Sequence, residues 1–168
     1  MSDLDQALAP APPAVDACQA VDAILCSARG FERLDAWRQP LSERLQARLS
    51  PQRRAALLQR CGLIALLRDG DGAAASQHFT AAIARLELDG PGDLLLTLRA
   101  QAGIADCLAG HLVRADVQLS DAELASRAPG ISVLTRGWLA IALVVALVAA
   151  GCYWLWQTNT ADADNDRL

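Results

Sequence analysis

Lysine is absent from the sequence. All fifteen basic residues are arginine, and nineteen acids give the chain a net charge of −4. An acidic chain gains little from a phosphate backbone, so we expect no general affinity for nucleic acid. Histidine is also scarce, because only His78 and His111 occur and they lie far apart. A zinc site needs several closely spaced His, Cys or acidic ligands, so no metal and no cofactor is predicted.

The five cysteines include no C-x-x-C pair. Cys18 and Cys26 lie eight residues apart on one predicted helix, which separates them by about 12 Å, whereas a disulfide needs Cα atoms within about 7 Å. We therefore expect no bridge between these two residues. The odd number and the scattered spacing favour reduced, packed thiols in a cytosolic domain.

Charge is missing from residues 137–160, although the preceding region carries it at ordinary density. Residues 138–156 read WLAIALVVALVAAGCYWLW, and a helix of this length rises about 28 Å against a hydrocarbon core of about 30 Å. Its Leu, Ile and Val residues contribute roughly −2 to −5 kcal/mol of insertion free energy. We predict a transmembrane helix over residues 137–157. The alternative is the central helix of a soluble bundle, but the preceding region is too small to surround it.

The residues on either side of this run set its orientation. Arginine precedes the run and is nearly absent after it, where the tail of residues 158–168 is acidic. Because arginine-rich flanks stay in the cytoplasm, we expect a bacterial inner-membrane protein with a cytoplasmic N-terminal domain and a periplasmic C-terminus. The first fifteen residues lack the features of a secretory signal, which favours a single-pass, tail-anchored layout. The residues expected at the membrane interfaces are Arg136, Trp138, Tyr153, Trp154 and Trp156.

Ala142, Ala146 and Ala150 repeat at four-residue spacing and share one face of the predicted span. Small residues at this spacing let two membrane helices approach closely, so the face is a candidate for association between copies of the chain. Alanine is common throughout the sequence, and chance explains the spacing about as well. Homo-oligomerisation through this face is therefore a hypothesis.

Proline, glycine and capping residues divide the rest of the chain into helices. Ser50 is placed to cap a helix that has Pro51 at its first position. Pro40 is predicted to end a helix, because it has no backbone N–H. Few β-branched residues precede Ile131, so no strands are expected. The predicted order is a disordered Pro/Ala arm over 1–14, capping helices over 15–49, two helical hairpins over 50–127, a juxtamembrane linker over 128–136, the span over 137–157 and a short acidic tail over 158–168.

A spacing of small and large apolar residues recurs within the two hairpins. Their helices are predicted over residues 51–68, 73–88, 93–109 and 112–127, with glycine-containing turns between them. The second and fourth helices carry the same alanine, large apolar residue and alanine, forty residues apart. The residues of this pattern are Gly62, Gly70, Ala75, Phe79 and Ala82 in the first half, and Gly103, Gly110, Ala115, Leu119 and Ala122 in the second.

This pattern resembles the tetratricopeptide repeat over about residues 55–126. The resemblance implies that a small residue in the first helix lets the second pack closely, and that the stacked pairs form a short solenoid with a groove for a peptide or a helix. The sequence departs from the family in its period of forty residues, in Asp106 at a position usually bulky and apolar, and in its missing aromatic residues. The alternative is a generic pair of Ala/Leu-rich hairpins. Both interpretations predict an all-α fold with two stacked antiparallel helix pairs.

No motif for catalysis is present. Nothing in the sequence pairs a nucleophile with a base, and the glycine-rich turns lack the lysine and hydroxyl residues of a phosphate loop. Both histidines are expected to be structural or solvent-facing. Asp106 needs a partner if it faces inward, and either Arg99 or Arg114 could provide one, so a buried structural ion pair is predicted.

Residues 29–60 carry eight arginines against three acids. Such a run is most often a solvated helix face. Docking of an acidic partner surface and contact with anionic headgroups are the two alternatives. The residues that would form this basic stretch are Arg33, Arg38, Arg44, Arg48, Arg53 and Arg54.

Together these features predict a membrane-anchored, non-enzymatic module for protein–protein interaction. We expect an adaptor that serves as an accessory or assembly component of a bacterial envelope or secretion machine. The alternative is a membrane-tethered regulator that sequesters a cytoplasmic signalling or transcription protein. In both hypotheses the partners are a protein and the lipid bilayer, contacted through residues 137–157.

Overall fold

The computed structural model describes residues 14–27, 31–87, 92–128 and 130–165, and all regular structure in these ranges is helical. The all-α prediction is therefore confirmed. The arm predicted over residues 1–14 lies outside the described residues except for Ala14, as do the last three residues of the tail. The helices are α1 Ala14–Ser27, a 3₁₀ helix Phe31–Trp37, α2 Arg38–Leu45, α3 Pro51–Arg68, α4 Gly72–Leu86, α5 Asp93–Leu108, α6 Leu112–Ser126 and α7 Val133–Asn165.

The starts of α3 and α4 follow from local capping. The Ser50 hydroxyl accepts a hydrogen bond from the Arg53 N–H at 3.3 Å, with Pro51 in the first turn, as predicted. At α4 the Asp71 carboxylate accepts from the Ala74 N–H at 2.8 Å. Gly70 and Gly110 follow α3 and α5 with φ of +67° and +78°, a conformation in which only glycine avoids strain.

The prediction that Pro40 ends a helix is wrong. Helix α2 begins at Arg38 and continues through Pro40 to Leu45. Pro40 lies in its first turn, where the backbone N–H has no partner within the helix, so the missing N–H costs nothing. The chain before it, Phe31–Trp37, winds as a 3₁₀ helix.

From α3 to α7, each helix packs against the next in chain order. Helices α3 and α4 form one antiparallel pair, and α5 and α6 form the second. The buried Val21, Leu34 and Leu41 join α1, the 3₁₀ helix and α2 to α3 at one end of this stack. At the other end, α7 lies against α5 and α6.

Helix α7 begins at Val133, within the stretch predicted as a linker over 128–136. The Ser132 hydroxyl accepts from the Thr135 N–H at 3.2 Å, and the Ser132 N–H donates to the Asp93 carboxylate at 2.9 Å. This second bond fastens the start of α7 to the start of α5. Within the part of the chain that the structure describes, no helix combines the length and the mean hydropathy required of a membrane span.

Candidate functional site

A glycine lies under a large apolar side chain in each helix pair. A Cβ atom on Gly62 of α3 would come within 2.5 Å of the Phe79 ring of α4. A Cβ atom on Gly103 of α5 would come within 2.6 Å of Leu119 of α6. Both distances are shorter than a real Cβ contact allows, so each helix pair requires glycine at this position.

The remaining residues of the repeated pattern lie along the same contacts. The alanines on either side of Phe79 and Leu119 are buried, and Gly110 lies in the turn between α5 and α6. Phe79 itself is fully buried, the largest such side chain in the described part of the chain. The pattern thus marks surfaces on which helix packs against helix. The buried alanines are Ala75, Ala82, Ala115 and Ala122.

Asp106 forms an ion pair with Arg114, one of the two partners expected from the sequence, but only the carboxylate of this pair is buried. The Asp106 carboxylate is 2 % exposed, and Oδ1 accepts from Arg114 Nη2 at 2.5 Å. The same oxygen accepts from the Ser76 hydroxyl at 2.7 Å. Arg99, the alternative partner, instead contacts Glu87 and Asp121. Because Ser76 comes from α4, the cluster ties the two helix pairs together.

This geometry predicts that Arg114→Ala costs more stability than Asp106→Asn. Removing the guanidinium leaves the buried carboxylate with the Ser76 hydroxyl and with His111, whose Nδ1 lies 3.6 Å from Oδ1, but with no permanent positive charge, which costs about 3 kcal/mol of unfolding free energy. Asp106→Asn removes the buried charge, and water solvates the 60 % exposed Arg114. This variant should therefore lose about 1 kcal/mol of unfolding free energy. Urea unfolding of the two variants measures the difference. Arg127→Ala, which breaks an exposed pair with Glu123, is the control and should change little. A larger loss of unfolding free energy for Asp106→Asn than for Arg114→Ala would contradict this account.

A second polar network, which the sequence did not reveal, crosses the stack near α1. Gln59 Nε2 donates to Gln101 Oε1 at 2.9 Å, and both side chains are buried. Arg60 donates to Gln59 Oε1 and also to the Asp22 carboxylate, at 2.5 and 2.6 Å. The network connects α1, α3 and α5. The bonds between these helices join residues 38 and 42 positions apart, so no local spacing signals the network.

An open cavity of about 270 Å³ lies between α2, α3 and α4. Its rim carries Arg38, which donates to the carboxylates of Asp35 at 2.9 Å and Asp69 at 2.5 Å. Cys61 and His78 line its wall. Burial raises the pKa of the Cys61 thiol to about 11, so the sulfur is protonated at neutral pH and is not an activated nucleophile.

The stability of the fold should depend on pH through His78. Burial lowers the pKa of His78 below its ordinary 6.5. The unfolded chain then binds the proton more readily than the folded chain. The contribution of neutral His78 to the unfolding free energy is therefore complete above about pH 7.5 and is lost as the pH falls through about 6.5. His78→Gln should flatten this part of the profile, measured as unfolding free energy from pH 8 to pH 5. An unchanged slope would contradict the assignment.

The six arginines of the predicted basic stretch do not converge on one site. Arg38 is held by two carboxylates, and Arg54 donates to the Ala47 carbonyl at 3.0 Å. Arg33, Arg48 and Arg53 are exposed and make no ion pair within the described residues. Arg44 is half-buried in α2. The stretch is therefore divided between the 3₁₀ helix, α2, the connection that carries Arg48 and the start of α3.

Helix α7 lies in a groove between α5 and α6. Ala142 and Leu139 are buried against Leu96 of α5 and Leu119 of α6, and Ala146 packs at the edge of this contact. The face proposed for association between copies is thus occupied within the chain at Ala142 and Ala146. Arg136 is exposed. The side chains of Ala150, Trp138, Tyr153, Trp154 and Trp156 lie outside the described residues.

Across the described ranges, no group of three or more His, Cys, Asp or Glu side chains could hold a metal ion. The charged clusters around Asp106, Arg60 and Arg38 connect helices to one another. Comparison with protein-family models, with curated protein sequences and with solved structures finds no match to this chain.

Proposed function

We propose that the chain is a membrane-anchored, non-enzymatic interaction module. Its stacked helix pairs, arranged as a short tetratricopeptide-like solenoid, hold a protein partner. The last helix anchors them in a bacterial inner membrane, with the pairs in the cytoplasm and the C-terminus in the periplasm. In this role the protein serves as an accessory or assembly component of an envelope or secretion machine.

The observation that carries the proposal is the apolar surface of α7. One face of this helix packs on α5 and α6, while Ile141, Val144 and Leu147 on another face are more than half exposed. A helix that is apolar all round favours a surrounding that is apolar as well. The uncharged run of residues 138–156 extends this surface and matches the thickness of the hydrocarbon core.

The charged clusters support a scaffold rather than an enzyme. Asp106 Oδ1 accepts hydrogen bonds from Arg114 and Ser76, and the Cys61 thiol is protonated at neutral pH. A scaffold needs rigid helix pairs, and the two glycine contacts at Gly62 and Gly103 provide them.

The proposal is tested by purifying the tagged full chain from membranes in a mild detergent at several salt concentrations. We expect a second protein to copurify at a fixed ratio after crosslinking in intact cells. The same purification is carried out with a chain that carries Val113→Arg and Val117→Arg, at two exposed positions of α6, as the control for added surface charge. Recovery of the chain alone at every salt concentration would contradict the adaptor function.

A second candidate function is a membrane-tethered regulator that sequesters a cytoplasmic signalling or transcription protein. The exposed Arg48 and Arg53, which lie close in sequence around the start of α3, favour an acidic partner surface. Release of the chain from the membrane should then change transcript levels, and Arg48→Glu with Arg53→Glu should remove that change. Unaltered transcripts on release would exclude this alternative.

A further inference from the structure

The docked helix α7 and the predicted span share residues. Leu139, Ala142 and Ala146 face the groove between α5 and α6, and all three lie within the apolar run 138–156. When they are docked, only residues 148–156 remain to enter a bilayer. Nine residues of helix rise about 14 Å, roughly half of the hydrocarbon core. The docked helix is therefore too short to cross.

The groove itself cannot enter the bilayer with α7. Asp116 of α6 lines the open cavity beside this contact, together with Leu147 of α7. Charged side chains at that depth cost about 2.5–3.5 kcal/mol each. Docking of α7 on the groove and insertion of residues 138–156 therefore exclude each other.

We propose that the groove between α5 and α6 is the docking site for an amphipathic helix of a partner protein, and that insertion of α7 into the bilayer empties it. This inference rests on the proposed function. The docked α7 shows what the groove accepts, namely a helix with leucine and alanine at the spacing of Leu139, Ala142, Leu143 and Ala146. Emptying the groove exposes Leu96, Ala100, Leu119 and Ala122, an apolar surface that needs a new cover.

The fit of α7 is incomplete, which favours a partner with a larger side chain. An open cavity of about 190 Å³ remains beside Ala146, between α6 and α7. A leucine at the position of Ala146 would reach into this space. Asp116 also lines the cavity and makes no ion pair within the described residues, so a basic residue on the partner helix near the position of Leu147 would gain a charge contact.

Cys107 reports whether the groove is filled. Its thiol is buried and lines the same cavity, next to Ala146 and Leu147. The full chain in phosphatidylcholine nanodiscs is compared with the Val144→Arg, Leu147→Arg variant in lipid-free buffer, where α7 stays docked. Alkylation of Cys107 by N-ethylmaleimide is followed by mass spectrometry. We expect alkylation at least about tenfold faster in nanodiscs, because removal of the covering helix exposes the thiol.

The partner helix is represented by a synthetic peptide of residues 137–149. It carries lysine at positions 141, 144, 147 and 148, which face outward on α7, and Ala146→Leu at the cavity. Added to the nanodiscs, it should return Cys107 alkylation to the slow rate. A control peptide with the further changes Leu139→Asp and Leu143→Asp should not protect.

Three results would overturn the inference, and each is distinct. If the chain co-elutes with nanodiscs and Cys107 is still alkylated slowly, the groove is still filled. This result overturns the inference and leaves the proposed function intact. Fast alkylation without protection by the peptide shows that the groove opens and does not accept this helix. A chain that does not co-elute with nanodiscs contradicts the membrane anchor, and with it both proposals.

Discussion

Val144→Arg together with Leu147→Arg should release the chain from membranes. Each arginine at the centre of a span costs about 2.5–3.5 kcal/mol, and the pair exceeds the roughly −2 to −5 kcal/mol that the apolar residues contribute. The side chains are 60 % and 74 % exposed on the docked helix, so the folded chain in water loses little packing. Flotation with liposomes, followed by quantification of the floated fraction, measures the effect.

The matched control places the same two charges elsewhere. Val113→Arg with Val117→Arg changes two valines of α6 that are 81 % and 54 % exposed and lie outside the apolar run. This variant should float like the unmodified chain. If the Val144, Leu147 variant floats equally well, the apolar run does not anchor the protein.

Phe79→Ala should cost about 4 kcal/mol of unfolding free energy. The ring is fully buried between α3 and α4. Its removal loses the free energy gained by transferring the ring out of water and also leaves a cavity that the two packed helices cannot close. Urea unfolding in a mild detergent, followed by circular dichroism, measures the loss. Val113→Ala, at an exposed position, is the control and should stay within about 0.5 kcal/mol.

The cause of this loss is tested from the other side of the contact. Gly62→Ala adds a methyl group where the Phe79 ring lies at 2.5 Å, so overpacking should cost about 1–3 kcal/mol despite the better helix propensity of alanine. Combined with Phe79→Leu, which frees space, the same change should cost less than the sum of the two single variants. Additive losses would show that Gly62 and Phe79 do not constrain each other.

The helices of the two pairs could be predicted because their signals are local. Ser50 and Pro51 begin α3 as expected, and the glycines after α3 and α5 adopt the backbone that the turn chemistry required. The prediction for Pro40 is wrong because proline is harmful inside a helix and harmless in its first turn, and the sequence alone does not say where the helix begins.

The tertiary contacts could be predicted only in part. The need of Asp106 for a partner follows from its place on an apolar helix, but the choice of Arg114 over Arg99 depends on how α6 returns beside α5. The contribution of Ser76 comes from another helix pair and has no sequence signal. The docking of α7 was missed because a helix that is apolar on all sides has no periodicity to indicate which face is buried.

Extraction with alkaline carbonate tests the account most directly. Membranes from cells that express the full chain are washed at high pH, and the chain is quantified in the pellet and in the supernatant. The account predicts that it stays in the pellet with integral membrane proteins. Recovery in the supernatant would show that residues 138–156 do not cross the bilayer.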